Sequence, residues 1–198
     1  MTSCNVTIKP LTGSALEEAI PGLARLRVSV FAEFPYLYDG DDAYEARYLE
    51  TYREAGNAIV AGAFDGEKLV GAATGTPMLE HEAEFAAAFD GQDYDLTKLF
   101  YCGESVLMPD YRGQGIGHRF FDVREAHARG LGATHCCFCA VVRPDGHPAR
   151  PSGYRPLDAF WEKRGYRKLA GVTTTYRWKD IGEARETGKP MQFWMRKL

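Results

Sequence analysis

The sequence lacks any apolar run long enough to cross a bilayer, so no membrane span and no membrane partner are expected. Met1 to Pro10 carry no basic segment ahead of an apolar one, so no secretory leader is read there and a cytoplasmic location is expected. Charge of one sign is scarce too. Lys and Arg number 24 against 27 Asp and Glu, a formal net charge of -3, which provides no global basic field for nucleic acid. Cysteine is sparse at five, and Cys102, Cys136, Cys137 and Cys139 lie in apolar stretches that read as strands. The spacing in Cys136-Cys137-Phe138-Cys139 matches no zinc signature. Adjacent strand residues point to opposite faces, so Cys136 and Cys137 could not easily share an ion; no metal is expected, and these cysteines read as small core side chains.

What is present is an ordinary globular composition, 45% hydrophobic and 26% charged over 198 residues, with no internal repeat and no dividing linker. One α/β domain over 1–198 is expected. Asn5 to Lys9 alternates like a strand. A helix follows with Pro21 in its first turn, a stripe of Leu23, Leu26, Val30 and Phe34, and Pro35 as its stop. A second helix carries Tyr44, Tyr48, Tyr52 and Ala55 at helical spacing. Ala58 to Phe64 and Lys68 to Thr76 form a hairpin across Asp65-Gly66-Glu67. Leu79 to Phe89 reads as an inserted helix, and Leu99 to Leu107 as a central strand closed by Pro109-Asp110. Gly115 to Leu131 is a helix with Ile116, Phe120, Val123, His127 and Leu131 on one side. Thr134 to Val142 is a buried strand, and the proline-rich stretch Arg143 to Pro156 is a long loop whose length favours a functional role. Leu157 to Arg164 is a short helix ending at Gly165, and Val172 to Trp178 and Met191 to Arg196 are late strands.

The stretch richest in chemistry is Arg112-Gly113-Gln114-Gly115-Ile116-Gly117, between a strand and a helix. Glycine allows close backbone approach, and first-turn N–H groups with the helix dipole make an anion site suited to phosphates. Arg112 adds a charge at its rim. Glycines at a helix entry are common, so a tight entry without ligand is an even alternative on these residues alone. A dinucleotide fingerprint would need glycine where His118 stands, and a P-loop would need Lys-Ser/Thr after Gly117.

The remaining pattern, Arg-x-x-Gly-x-Gly opening a long helix, resembles the acyl-CoA loop of the GNAT superfamily of N-acetyltransferases. Val106-Leu107-Met108-Pro109-Asp110-Tyr111-Arg112-Gly113 is similar to that family's strand end and approach. Ala159-Phe160-Trp161-Glu162-Lys163-Arg164-Gly165-Tyr166 is similar to its late helix segment. The resemblance spans Leu99 to Tyr166 by motif and the preceding chain by element order. It implies a central mixed, mostly antiparallel, twisted sheet of about seven strands flanked by helices.

It also implies transfer of an acyl group from acetyl-CoA to a primary amine through a tetrahedral oxyanion, with CoA thiolate leaving. An alkyl amine with a pKa of about 10 must first lose a proton, and Glu104, on the central strand just before the loop, is the base this implies. The alternative is that Glu104 orders the strand or binds the ammonium. A backbone N–H around Val106 or Leu107 would face the oxyanion, with Met108 beside them at the cofactor, and the N–H groups of Arg112 through Gly117 would hold the pyrophosphate, with His118 at most touching phosphate. The family's late-helix tyrosine is replaced by Trp161, which would pack on the cofactor or the core. Tyr154 is then a substitute acid, unless the thiolate leaves unaided.

The acceptor side would be built by Phe34 to Asp42 and Arg143 to Pro156. Phe34, Tyr36, Tyr38 and Asp39 could attract a cationic amine, and His147 could face substrate. Asp41 and Asp42 read rather as a helix start. Arg143, Arg150 and Arg155 could meet a substrate carboxylate or CoA phosphates, which together would suit an amino-acid-like zwitterion. His127 and His135 read as packed or strand-opening residues. The rival reading is a catalytically inactive acyl-CoA sensor or scaffold, suggested by the Trp161 departure. The late strands could pair with a second subunit, as a homodimer, or complete one core.

Overall fold

The structure is a computed structural model that describes residues 6–198, apart from the side chains at positions 42, 43, 46, 47 and 51. Seven strands form one sheet: β1 (Thr7–Leu11), β2 (Ile59–Asp65), β3 (Lys68–Pro77), β4 (Leu99–Leu107), β5 (His135–Val141), β6 (Arg167–Trp178) and β7 (Thr187–Lys197). Their spatial order is β1-β2-β3-β4-β5-β7-β6. Only β4 and β5 run parallel; every other neighbouring pair is antiparallel. The mixed seven-stranded sheet flanked by helices is the architecture expected. Asn5, the first residue of the expected opening strand, lies outside the described residues.

Two helices, α1 (Gly13–Phe31) and α2 (Asp42–Glu54), cover one face, burying Leu23, Leu26 and Leu49 against Val60, Ala72 and Val106. A short helix, α3 (Ala83–Ala87), places Phe85 on a second cluster with Tyr101, Cys137 and Phe193. The opposite face carries α4 (Ile116–Gly130), whose Ile116, Phe120 and Phe121 are buried over the sheet. The last helix, α5 (Asp158–Lys163), ends before Gly165, which takes φ 89 and so suits only glycine as the cap. Cys102, Cys136, Cys137 and Cys139 are free and buried.

Several expectations are corrected. Helix α1 starts two turns earlier than Pro21 predicts, leaving that proline inside it, and ends at Phe31 rather than at Pro35. Leu16 and Leu23 share one buried face across Pro21, and their burial outweighs the roughly 3 kcal/mol a helix-interior proline costs. In α2 the buried residues are Glu45, Leu49 and Tyr52; of the expected tyrosines Tyr52 is buried, Tyr48 half-buried and Tyr44 40% exposed. The expected helix over Leu79 to Phe89 breaks at His81, whose backbone is extended (φ -97, ψ 177) between a short turn and α3. The apolar side of α4 omits Leu131, which is exposed, and includes the buried charges Arg124 and Glu125.

Candidate active site

The parallel pairing of β4 with β5 covers only Leu99, Phe100 and Tyr101, after which the two strands part. On its other edge β4 pairs with β3, where Ala73 faces Ser105 but Gly75 faces Cys102. Strand β4 therefore holds one extra residue at Gly103-Glu104, a β-bulge that bends the strand and leaves carbonyls without ladder partners. Arg124, 1% exposed on α4, supplies what the ladder lacks. Its guanidinium donates to the carbonyls of Thr74 (3.1 Å) and Glu104 (3.2 Å) and to Ser105 Oγ (2.9 Å). Sequence reading missed Arg124, because it neighbours Val123 in a stripe read as apolar.

The parting strands open a cleft of about 1330 Å³. Leu107, Arg112, Gly113, Gly115, Ile116, Gly117 and His118 line it, so the contiguous loop forms one wall. Gly113 and Gly115 take φ 77 and 79, and Gly115 caps α4. Among the described residues, none accepts a hydrogen bond from the backbone N–H groups of Gly113 through Gly117. Unpartnered donors along a cleft wall fit a phosphate group. A Cβ on Gly117 would lie 3.4 Å from the Phe160 ring, so the late helix segment packs directly on the loop. Arg112 is turned aside, paired with Glu33 (2.8 Å) and donating to the Leu107 carbonyl (3.1 Å). Gln114 folds back on the Asp110 carbonyl. The Val106 side chain is fully buried under α1 and α2, and the Met108 N–H donates to the Val70 carbonyl.

The opposite wall comes from the proline-rich loop and α5. Trp161 lines the cleft while packing on Phe138 and Trp194, with ring centroids 4.9 and 5.1 Å away. Tyr154 and His147 lie 4.6 and 5.6 Å from the Phe34 ring, so these three form one cluster. Arg143 is committed to structure: it pairs with Asp180 (2.8 Å) and donates to the carbonyls of Pro35 and Tyr36. Arg150 pairs with Asp145, and Arg155 is exposed on the cleft wall. Behind the wall, buried Glu125 accepts from Arg164, Tyr166 and Arg196, tying α4 to the turn between α5 and β6 and to β7.

A second pocket of about 190 Å³ adjoins the cleft, and the two share Phe31, Tyr36, Gly103, Glu104 and Cys139. Glu104 thus stands where the cavities meet, its side chain 6% exposed and paired with Arg27, with the Tyr48 hydroxyl donating at 3.4 Å. Arg27 also pairs with Glu45, which is wholly buried. Burial would lower the Arg27 guanidinium, but Glu104, Tyr48 and Glu45 outweigh it and hold Arg27 well above its usual value. Tyr36 and Tyr38 line the pocket, and burial pushes both hydroxyls well up, so both stay protonated donors. Asp39 also lines it but is paired with Lys179 at 2.6 Å, while Asp41 caps α2 by accepting from the Tyr44 N–H. The side chain of Asp42 lies outside the described residues.

His81 lines this pocket as well, packed on Phe85 and Tyr101 with ring centroids 4.6 Å away in each case. No motif marks it, and the stretch containing it reads as a helix. Nδ1 accepts from the Glu82 N–H, which leaves Nε2 to carry the proton. Burial lowers the ring from 6.5 to about 4 despite the pull of Glu104. The unfolded chain then binds more protons than the fold between those values. Stability is therefore full above about pH 6.5 and declines as pH falls towards 4, by up to about 3 kcal/mol from this residue. Urea unfolding at about pH 7 and about pH 4.5 should show this loss reduced in His81→Gln; equal losses in both proteins would refute it.

The match to the family model for the GNAT acetyltransferase family runs over residues 24–166, well over half of the chain. The chain belongs to the GNAT acetyltransferase family. That stretch runs from α1 through the bulge, the glycine loop and α5, so the GNAT match takes in both cavities' shared residues. No protein of curated function matches the sequence. Solved structures agree in fold. An acetyltransferase from Thermus thermophilus is 17% identical, with all of both chains covered and a TM-score of 0.60. The ribosomal-protein-alanine N-acetyltransferase of Brucella melitensis is 15% identical, with 97% of this chain and 99% of that one covered, at 0.62. A putative acetyltransferase of Salmonella typhimurium, solved with its cofactor acetyl-CoA, is 11% identical over 98% and 94%, at 0.61. Among the described residues of this GNAT chain, no helix is long and apolar enough to cross a membrane.

Proposed function

We propose that this chain is an N-acetyltransferase that transfers the acetyl group of acetyl-CoA to the primary amine of a small molecule. The observation that carries the reading is the meeting of two cavities at Glu104. The larger is lined by unpartnered phosphate donors, the smaller is sized for a compact acceptor.

Acetyl-CoA would supply an activated thioester and a pyrophosphate. The N–H groups of Gly113 through Gly117 would hold the pyrophosphate, with the α4 dipole behind them. Glu104 would take the ammonium proton, directly or through water, so that the amine reaches the thioester as a nucleophile. The oxyanion donor can be narrowed from the ladder. Because the Met108 N–H points to β3, alternation turns the Val106 N–H the same way and leaves that of Leu107 on the open side. Tyr36 is better placed than Tyr154 to protonate the leaving thiolate, since it lines both cavities and Tyr154 only the cleft. The acetyl-CoA bound to the Salmonella protein of the same fold supports acetyl-CoA as donor.

Purified protein with acetyl-CoA and a panel of primary amines should release free CoA thiol in proportion to amine. Acetyl-CoA binding without amine-dependent release at any pH would overturn the reading.

A further inference from the structure

Charges on the smaller pocket's wall are unevenly paired. At its inner end Glu104 and Glu45 share Arg27, so this buried group of three carries one excess negative charge. The wall's other described arginine and lysine are Lys179, closed on Asp39, and Arg177, which is exposed and donates to the Glu186 carbonyl. Tyr36, Tyr38, Tyr48, Phe85, Tyr101 and Tyr176 give the wall an aromatic character. The volume of about 190 Å³ leaves room for roughly one ring and a short chain, since a cavity of about 150 Å³ takes benzene.

We propose that the acceptor is a compact primary amine with an apolar, ring-sized body and no carboxylate. This deepens the acetyltransferase reading and rests on it for the place of the amine. The ammonium neutralises the excess charge of the Arg27, Glu45 and Glu104 group, and the aromatic wall receives both the cation and the body. An α-carboxylate sits one carbon from the amine. It would enter beside Glu104 and Glu45, where the Arg27 guanidinium is already shared by two carboxylates, and it would lose its water without gaining a partner. Arg143 of the long loop is taken up by Asp180 and two carbonyls, so it offers a substrate carboxylate no counter-ion. Asp41 and Glu186, both exposed, also line the wall and offer a carboxylate no counter-ion.

Three matched probes test the inference. 2-Phenylethylamine has no carboxylate, L-phenylalanine has one, and L-phenylalaninamide has its bulk without its charge. In thiol-release assays kcat/KM for the amine and the amide should each exceed that for L-phenylalanine by about 100-fold. Calorimetric titration into the CoA-saturated protein should show the same order. In Glu45→Gln the discrimination should shrink about tenfold while acetyl-CoA affinity holds. Equal turnover of all three, or equal rejection of amide and amino acid, would overturn the charge argument while leaving acetyl transfer standing. The same order in binding with no thiol release would support the pocket's selectivity and overturn the acetyltransferase reading instead. Failure of 2-phenylethylamine to bind at all would overturn the selectivity.

Discussion

Glu104→Gln should lower kcat by about 10²- to 10³-fold, with the KM for acetyl-CoA nearly unchanged. The amide can still accept from Tyr48 and Arg27, and Arg27 keeps Glu45, so the pocket keeps its packing while it loses the base and the excess negative charge of the group. The effect should depend on pH. Near the amine's own pKa of about 10 the substrate loses its proton without help, so the gap between variant and native enzyme should close as pH rises. A carboxylate that only ordered the bulge would give a gap independent of pH. Parallel pH–rate profiles would therefore remove Glu104 as base.

Gly115→Val should raise the Kd for acetyl-CoA by about 100-fold while costing the fold only about 1–2 kcal/mol. The substituted residue cannot hold φ 79 without strain, and a Cβ there meets nothing within 4 Å, so the penalty is conformational rather than steric. Relief of that strain would swing the N–H groups around the α4 cap out of the cleft wall. Gly91 is a suitable control: it has φ 76 and an equally open Cβ position, and it does not line the cleft. Gly91→Val should carry a similar stability cost and bind acetyl-CoA normally. Equal affinity in both variants would show that the loop is a tight helix entry without a phosphate role.

These two sites differ in how readily the sequence shows them. Strand β4 matches its expected bounds, Leu99 to Leu107, and α4 its expected span to within a residue at each end, because apolar periodicity and glycine punctuation are local signals. Where long-range burial overrode a local rule, the reading slipped. Pro21 lies inside α1 because Leu16 and Leu23 share a core, and His81 breaks the insert because its ring packs between Phe85 and Tyr101. Arg27 and Glu45 each stand on a buried helix face, a pattern that taken alone looks like an interrupted stripe. Only their pairing across two helices makes both tolerable.

The sequence by itself determined the donor side of this protein. Strand end, glycine loop and helix start are contiguous, and backbone N–H groups at a helix entry need no distant partner to bind phosphate. The acceptor side was decided by tertiary structure alone. Its wall gathers Arg27 from α1, Glu45 and Tyr48 from α2, His81 from the insert, Glu104 from the bulge and Tyr176 from β6. The sign of its charge depends on which of those groups neutralise one another, and chain order carries no record of that pairing.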